Sequence, residues 1–258
     1  MKEPNSDWYK SIWSLDIKNM SWVEDTNRQV DFLIEKMKLN GSERILDLAC
    51  GFGRHSIALA QRGFDVVGVD ITKEFIEDAK MTASNMNLKI EFCCGDIRNV
   101  ICHGEFDVVL NLADGAIGYL EDENENLKIF DIIAASLKPG GKHLMDICNG
   151  EHAEMYFPKR HWETGAKSIS LSEFSWNKET KRMLYGGYDI PLGKIAQAPK
   201  TIEPDSSIRL YNKNELRQIL SDRDMTIIET YSDFNGTPDS AKEMQLMAYS
   251  RKGFAMKI

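Results

Sequence analysis

The chain has 258 residues, a formal net charge of -8 and 42% hydrophobic residues, which is enough apolar material for one principal folded core. The negative charge argues against a nucleic-acid partner, because affinity for nucleic acid rests largely on Lys and Arg neutralising phosphates. The longest apolar runs, such as FDVVLNLA, are far shorter than the ~20 residues that cross a membrane, and the N-terminus has no apolar stretch of the signal-peptide type. We therefore expect a soluble, cytoplasmic protein without a nucleic-acid or membrane partner.

The five cysteines and five histidines indicate neither a disulfide framework nor a metal site. The number of cysteines is odd, and they show no C-x-x-C spacing. The histidines show no H-x-H or i, i+4 pairing of the kind that metal ligands often have. We expect reduced thiols and no bound metal.

The N-terminal residues 1–40 combine aromatic side chains with an amphipathic segment, RQVDFLIEKM. The aromatic residues are Trp8, Tyr9, Trp13 and Trp22. This pattern predicts helices that cover the cofactor site of the fold that follows. Two interpretations of Tyr9 and Trp13 stay open. They form a lid over a cationic ligand, since aromatic faces attract cations, or they anchor a helix.

From Arg44 to Asn149, short apolar runs alternate with helical patterns. The runs are RILDLA, FDVVGVD, LKIEFCCGD, FDVVLNLA and KHLMDIC, and the helical segments between them are residues 53–61, 73–85 and 123–137, the last ended by KPGG. Strands that alternate with helices predict an α/β fold with a parallel sheet wound by right-handed crossovers.

After Asn149 the hydrophobic pattern changes to a period of two, in KSISLSEFSW, KRMLYGGYDIPL and SSIRLY. This predicts an antiparallel insertion of roughly three strands within residues 151–211. Its aromatic residues are Trp176, Tyr185, Tyr188 and Tyr211. We expect the insertion to form either a wall of the substrate site or a homodimer contact. The helix NKNELRQILSDR and the strands MTIIETYSDF and KEMQLMAYSR follow, and the short connection makes these two strands antiparallel. Residues 41–150 and 212–252 are thus predicted to form the core.

The stretch ILDLACGFGRHS places Gly51 and Gly53 where the first strand turns into a helix, the edge at which open parallel sheets bind ligands. Asp70 ends the second strand, and a carboxylate there can accept hydrogen bonds from the ribose hydroxyls of NAD or of S-adenosylmethionine. A dinucleotide turn carries a third glycine where this chain has Ser56. Asp47, inside the first strand, suits a positively charged ligand such as a sulfonium.

Asp96 follows the third strand, where its carboxylate can accept from an adenine amine while Ile97 stacks on the ring. Alone, Asp96 is equally well explained as a turn or helix cap. Together with the glycines and carboxylates of the first two strands, it favours S-adenosylmethionine over a dinucleotide.

The motifs LDLACGFGRHSIALAQRGF, VVGVDIT, GDIR and LKPGG occur in that order, and the chain closes with YSDFNGTPDSAKEMQLMAYSRK. Over roughly Trp22 to Lys252 the sequence resembles class I S-adenosylmethionine-dependent methyltransferases, specifically a bacterial small-molecule subgroup. The resemblance implies a doubly wound, mostly parallel seven-stranded sheet of order 3-2-1-4-5-7-6, with strand 7 antiparallel. It also implies S-adenosylmethionine as cofactor and a small-molecule methyl acceptor.

The resemblance also implies a set of cofactor-binding residues. It places Asp47, Gly51, Gly53 and Arg54 at the methionine moiety, Asp70 at the ribose, Asp96 and Ile97 at the adenine, and Asn111 and Leu112 near the sulfonium. Beyond the resemblance, we expect Ile71, Tyr9 and Trp13 to bind the cofactor as well.

The segment NLADGAIGYL departs from the aromatic or Thr/Ser run that relatives often have there. We expect Asp114 and Tyr119 in this loop to border the transferable methyl group. They act as catalytic residues, or Asp114 caps a turn and Tyr119 packs. The predicted activity is in-line methyl transfer to N or O. The alternatives are a non-catalytic protein that binds S-adenosylmethionine and, more remotely, a nicotinamide-dependent oxidoreductase.

Overall fold

The computed structural model describes residues 4–165, 167–193 and 201–254. The helices are α1 (Ser21–Glu24), α2 (Thr26–Met37), α3 (Arg54–Gln61), α4 (Lys73–Asn85), α5 (Glu123–Ser136), α6 (Gly150–Tyr156) and α7 (Lys213–Ser221), with 3₁₀ turns at Trp8–Lys10, Leu15–Asn19 and Ile97–Asn99. The strands are β1 (Arg44–Leu48), β2 (Asp65–Asp70), β3 (Glu91–Cys94), β4 (Phe106–Asn111), β5 (Leu137–Cys148), β6 (Lys159–Thr164), β7 (Ser168–Asn177), β8 (Arg182–Pro191), β9 (Ser206–Arg209), β10 (Met225–Tyr231) and β11 (Gln245–Lys252).

The central sheet has seven strands in the order β3-β2-β1-β4-β5-β11-β10. Strands β1 to β5 are parallel, whereas β11 runs antiparallel to both β5 and β10. Since β10 and β11 are the sixth and seventh strands of this sheet in chain order, the predicted order 3-2-1-4-5-7-6 and the reversed last strand are confirmed. The carboxyl ends of β1, β2 and β4 therefore lie side by side.

Each central strand buries apolar side chains on both faces. In β1, Ile45 packs with α2 and α3 residues such as Leu33 and Leu59, whereas Leu46 and Leu48 pack on the other face with residues of α5 and α7. Side chains alternate along a strand, so Asp47 shares the α3 side with Ile45. One carboxylate thus enters an otherwise apolar layer.

The insertion after β5 is an antiparallel sheet in the order β6-β7-β8-β9. It has one strand more than predicted, because the edge strand β6, KRHWET, is mostly exposed and lacks the apolar alternation that marks a half-buried strand. The inner face of this sheet packs against the N-terminal segment, the loop after β4 and α6. The residues in that contact are Phe174, Met183 and Ile208 of the sheet with Trp8, Tyr119 and Ala153.

Helix α5 ends just before KPGG, as expected, and KPGG itself forms a bulge near the start of β5. Pairing with β4 jumps from Phe106↔Leu137 to Val108↔Lys142, so the residues between are extra on the β5 side. Gly140 accommodates the bend with a φ of +75°.

Within the described ranges, no helix has the length and apolar character needed to cross a membrane. The same residues contain no group of three His, Cys, Asp or Glu side chains arranged to hold a metal ion.

Candidate active site

The turn after β1 follows a backbone path that favours glycine. Gly51 and Gly53 have φ values of +56° and +75°. A Cβ on Gly53 would lie 2.8 Å from the Phe92 ring, so this position also needs glycine for space. The main-chain N–H of Gly51 donates to Asp70 Oδ2 at 2.8 Å, which ties the turn to the end of β2.

Asp70 is fixed by two main-chain donors at the end of β2. Its second oxygen, Oδ1, accepts from Thr72 N at 2.8 Å, and the residue is 8% exposed. Burial raises the pKa of Asp70, although the hydrogen bonds from Thr72 and Gly51 oppose that shift. The Thr72 side chain also hydrogen-bonds this carboxylate. Each carboxylate oxygen can accept two hydrogen bonds, so Asp70 keeps acceptor capacity for a ligand. Ile71 follows and is partly exposed.

Asp47 lies beneath the glycine turn and is 2% exposed. Its Oδ2 accepts a hydrogen bond from Ser56 Oγ at 2.6 Å. Burial raises the pKa of Asp47 to about 6, while the Ser56 hydroxyl and the Arg54 charge lower it. The sequence analysis noted Ser56 only because it stands where a dinucleotide turn has its third glycine. The structure shows that its hydroxyl holds the carboxylate in place.

Arg54 begins α3 and is held by the N-terminal helices. Its Nη1 donates to Thr26 Oγ1 at 2.9 Å and to Gln29 Oε1 at 2.6 Å, and its guanidinium carbon lies 5.1 Å from the Trp22 ring centroid. Burial lowers the pKa of Arg54 to about 10, although the charges of Asp146 and Asp47 favour the protonated form. Arg54 is therefore the cation within a group of buried carboxylates.

Asp96 caps the 3₁₀ turn that follows β3, as one of the two interpretations proposed. Its Oδ1 accepts from Arg98 N at 2.9 Å and from Arg98 Nε at 3.0 Å, and Arg98 also pairs with Glu125. Partial burial raises the pKa of Asp96, but the Arg98 hydrogen bonds outweigh this and bring it below its ordinary value. Ile97 is buried. Their contacts with adenine stay a prediction.

The loop after β4 forms a left-handed turn. Four consecutive residues, 113 to 116, have φ values of +52°, +69°, +53° and +59°. Such backbone is costly for residues with a Cβ, and strain of this kind concentrates at functional sites. Asn111 Nδ2 braces the turn by donating to Gly115 O at 3.1 Å, while its buried Oδ1 has no partner among the described residues. Leu112 is buried beside it.

Asp114 sits in this turn and faces the end of β5. Its Oδ1 accepts from Cys148 N at 3.2 Å, and its own N donates to Asp146 O at 2.8 Å. Burial raises the pKa of Asp114 to about 6. A carboxyl group with this pKa is ionised near neutral pH and can accept a proton readily.

Tyr119 follows the left-handed turn and packs against the N-terminal aromatic residues. Burial raises its pKa well above the ordinary value, and the charges of Asp114, Cys148 and Asp70 add to the shift. The phenol therefore stays protonated and can donate a hydrogen bond, but it is a poor base. Its ring centroid lies 4.7 Å from that of Trp8 and 6.4 Å from that of Tyr9.

The N-terminal aromatic residues lie at this edge of the sheet. Tyr9 and Trp13 pack in the same apolar cluster as Trp8 and Tyr119. These contacts connect the 3₁₀ turn Trp8–Lys10 to the left-handed turn. Whether Tyr9 and Trp13 cover a cofactor stays a prediction.

Asp146 is a site residue that the sequence analysis missed. It is 8% exposed, and its Oδ1 accepts from Gln245 Nε2 at 2.7 Å. Burial raises the pKa of Asp146 to about 7, with a further contribution from the charge of Asp114. The signal was present, because KHLMDIC carries a carboxylate within an apolar strand, as RILDLA does at Asp47.

The insertion aromatics divide between two environments. Tyr185 packs on Phe174, with ring centroids 5.1 Å apart, on the face that meets the N-terminal segment. Tyr211 is instead fully buried against Phe130 at 5.8 Å and donates from its hydroxyl to Glu123. Tyr211 is therefore part of the core rather than of a substrate wall.

Comparison with known proteins gives a consistent family. A model of the methyltransferase domain matches residues 39–222. The chain is 29% identical to the putative methyltransferase YqeM of Bacillus subtilis strain 168, over 81% of this chain and 84% of that protein. It is 33% identical to the glycine/sarcosine N-methyltransferase of Parasynechococcus marenigrum, over 49% of this chain and 45% of that protein.

Two solved structures show the same fold. An S-adenosylmethionine-dependent methyltransferase from Clostridium acetobutylicum superposes with a TM-score of 0.75 at 18% identity, covering 95% of this chain and 99% of that one. The 1,6-didemethyltoxoflavin-N1-methyltransferase of Burkholderia thailandensis, solved with its substrate and S-adenosylhomocysteine, gives 0.62 at 13% identity, covering 98% and 93%.

Proposed function

Since the chain belongs to the class I S-adenosylmethionine-dependent methyltransferase family, we propose that it transfers the methyl group of S-adenosylmethionine to a nitrogen or oxygen atom of a small molecule. The observation that carries this proposal is the carboxylate of Asp70, fixed by Gly51 N and Thr72 N at the end of β2. It keeps acceptor capacity for a ribose hydroxyl beside a turn whose backbone a ligand can approach closely.

The charges at this edge fit the cofactor. Asp47 and Asp70 are buried carboxylates, so they favour a ligand with a sulfonium and an ammonium group. Arg54 uses only Nη1 in its two hydrogen bonds, so other N–H groups of its five remain for the methionine carboxylate. Asp96, Ile71 and Ile97 are assigned to the adenine side, and Asn111 and Leu112 to the sulfonium side.

When bound, S-adenosylmethionine supplies a methyl group already activated on a positively charged sulfur. The protein then has to align the acceptor and to remove its proton. In our proposal Asp114 accepts the proton of the attacking atom, which typically contributes ~10²- to 10⁴-fold to the rate. Tyr119 donates a hydrogen bond that orients the acceptor, because its phenol stays protonated.

We assign the acceptor space to the junction between the left-handed turn, the N-terminal segment and the antiparallel sheet. Phe174 of the sheet packs in one cluster with Trp8 and Tyr119, so the sheet forms the wall of this junction. Two of the similar proteins are named as N-methyltransferases of small molecules, of glycine or sarcosine and of a toxoflavin precursor. They support a small acceptor for this chain.

The test is calorimetric binding of S-adenosylmethionine and S-adenosylhomocysteine. The wild type is expected to bind both, and Asp70→Asn to lose about 10- to 150-fold in affinity, because a hydrogen bond to a charged group contributes about 1.5–3 kcal/mol. Asp65→Asn is the matched control, since Asp65 lies at the other end of β2, exposed and 3.4 Å from Arg44. Its affinity is expected to match the wild type. A wild type that binds neither compound overturns the proposal.

Catalysis itself is tested by turnover. The protein is incubated with S-adenosylmethionine and a panel of small amines and phenols, and the products are examined by mass spectrometry for addition of one methyl group. Methylated product is expected from at least one acceptor and is expected to fall in Asp114→Asn. Cofactor binding without any product across the panel contradicts the catalytic part of the proposal.

A further inference from the structure

The left-handed turn after β4 is anchored by a residue on the neighbouring strand. The main-chain oxygen of Asp146 accepts from Asp114 N at 2.8 Å. The N–H of Ala113 faces the carboxyl group of Asp146 and stabilises its charged form. Two successive residues of the turn are therefore held by the backbone and side chain of Asp146.

The carboxyl group of Asp146 is itself fixed from a third element. Gln245 Nε2, at the start of β11, donates to its Oδ1 at 2.7 Å. The charged groups that face it are Asp114 from the turn and Arg54 from α3. On its own strand, the Cys148 thiol lies near both carboxylates and is kept protonated by burial, since its pKa is raised well above the ordinary value.

The carboxyl groups of Asp114 and Asp146 are close enough for the charge of one to affect the ionisation of the other. The first to lose its proton makes the loss from the second less favourable. Burial raises the pKa of Asp114 to about 6, and burial together with the Asp114 charge raises that of Asp146 to about 7. The charge of Asp114 therefore disfavours ionisation of Asp146 near neutral pH.

We propose that Asp146 is a positioning residue for proton transfer: its main-chain oxygen and its carboxyl group hold the left-handed turn at Asp114 and Ala113, and so place the carboxylate of Asp114. This role rests on the proposed function, in which Asp114 is the base. It explains why a carboxylate occupies an otherwise apolar strand, and why the adjacent turn keeps a strained backbone.

The chemical step balances without a further reactant. The proton on the attacking nitrogen or oxygen passes to the carboxylate of Asp114. The lone pair of that atom forms the new bond to the methyl carbon, and the electron pair of the breaking carbon–sulfur bond goes to sulfur, which becomes a neutral thioether. Asp114 then releases its proton to solvent.

The experiment is a carboxyl ¹³C NMR titration of protein labelled at aspartate and saturated with S-adenosylhomocysteine. In the wild type, Asp114 and Asp146 are expected to titrate between about pH 5 and 8. Asp114→Asn is expected to lower the pKa of Asp146 by about one unit, because a charged neighbour is removed. Asp131→Asn, at an exposed pair with Arg223, is expected to leave both titrations unchanged.

The positioning role is tested by a pair of variants at Asp146. Asn mimics the protonated acid and keeps an acceptor for Gln245, so Asp146→Asn is expected to preserve the titration of Asp114 near pH 6. Asp146→Ala removes the side-chain anchor of the turn and is expected to return Asp114 towards an ordinary, solvated value. If Asp146→Ala does not fold, Gln245→Met serves instead, and it is expected to raise the pKa of Asp146 because a hydrogen bond to the charged form is lost.

An unchanged pKa of Asp146 in Asp114→Asn overturns the placement of the Asp114 carboxyl group beside that of Asp146. An unchanged pKa of Asp114 in Asp146→Ala overturns the positioning role. Either result leaves the proposed function standing if the wild type still binds S-adenosylhomocysteine in the calorimeter, so the two failures are distinguishable.

Discussion

Gly118→Ala is expected to destabilise the protein strongly, because Gly118 makes a close backbone contact with β9. Gly118 has a φ of +80°, and an added Cβ would lie 1.9 Å from the main-chain oxygen of Arg209. Left-handed backbone costs a residue with a Cβ about 1–2 kcal/mol. Relief of the contact must also separate Arg209 N from Gly118 O, now 2.8 Å apart, and an unpaired buried group costs about 1–3 kcal/mol. The expected loss in the free energy of unfolding is about 2–5 kcal/mol.

The measurement is urea unfolding followed by circular dichroism, with Gly63→Ala as the matched control. Gly63 has a φ of +92°, and nothing lies within 4 Å of an added Cβ, so this variant reports the backbone strain alone. Gly118→Ala is expected to lose about 1–3 kcal/mol more than Gly63→Ala. Equal losses in the two variants would show that the contact between the turn and β9 is not held as described.

Two further predictions concern stability. His143 is buried in β5, with Nδ1 3.0 Å from Ser250 Oγ, and burial lowers its pKa to about 3. The unfolded chain therefore takes up a proton at His143 before the folded protein does, and stability is lost as the pH falls below about 6.5. At pH 4.5 this linkage costs about 2.7 kcal/mol, and His143→Gln is expected to flatten the fall in urea stability between pH 7.5 and 4.5; an equally steep fall contradicts it. Asn212→Ala breaks the capping box with Glu215 at the start of α7 and is expected to lower the free energy of unfolding in urea by about 1 kcal/mol. Asn214 lies inside α7 and is not the capping residue, so Asn214→Ala is expected to lower it by less.

The parallel core and its reversed last strand were predictable because their causes are local, whereas the strand order was implied by the family resemblance. Apolar runs of strand length, helices of period 3.6 and short connections determine which strands are parallel and which are reversed. The glycines and Asp70 were predictable as a group for the same reason, since they end successive strands and parallel strands end at one edge. Strand β6 was missed because its side chains face solvent and leave no hydrophobic pattern.

The contacts of the site were less predictable, because they depend on residues far apart in sequence. The pair of Asp96 with Arg98 lies within GDIR, but nothing in that motif shows that Arg98 also reaches Glu125. The left-handed turn is equally hidden, since NLADGAIGYL contains two glycines, but its alanines and aspartate share the same backbone conformation. Asp146 was overlooked although its signal matched that of Asp47.

The left-handed turn lowers the stability of the fold while it holds the proposed base in place. Three of its four residues, Ala113, Asp114 and Ala116, carry a Cβ, so the turn costs folding about 3–6 kcal/mol in all. Glycine at either alanine would relieve part of that strain but would loosen the segment that carries Asp114. Selection for heat resistance alone would therefore favour glycine here and erode the alignment of the base. Thermostable variants of this protein are better sought at other positions.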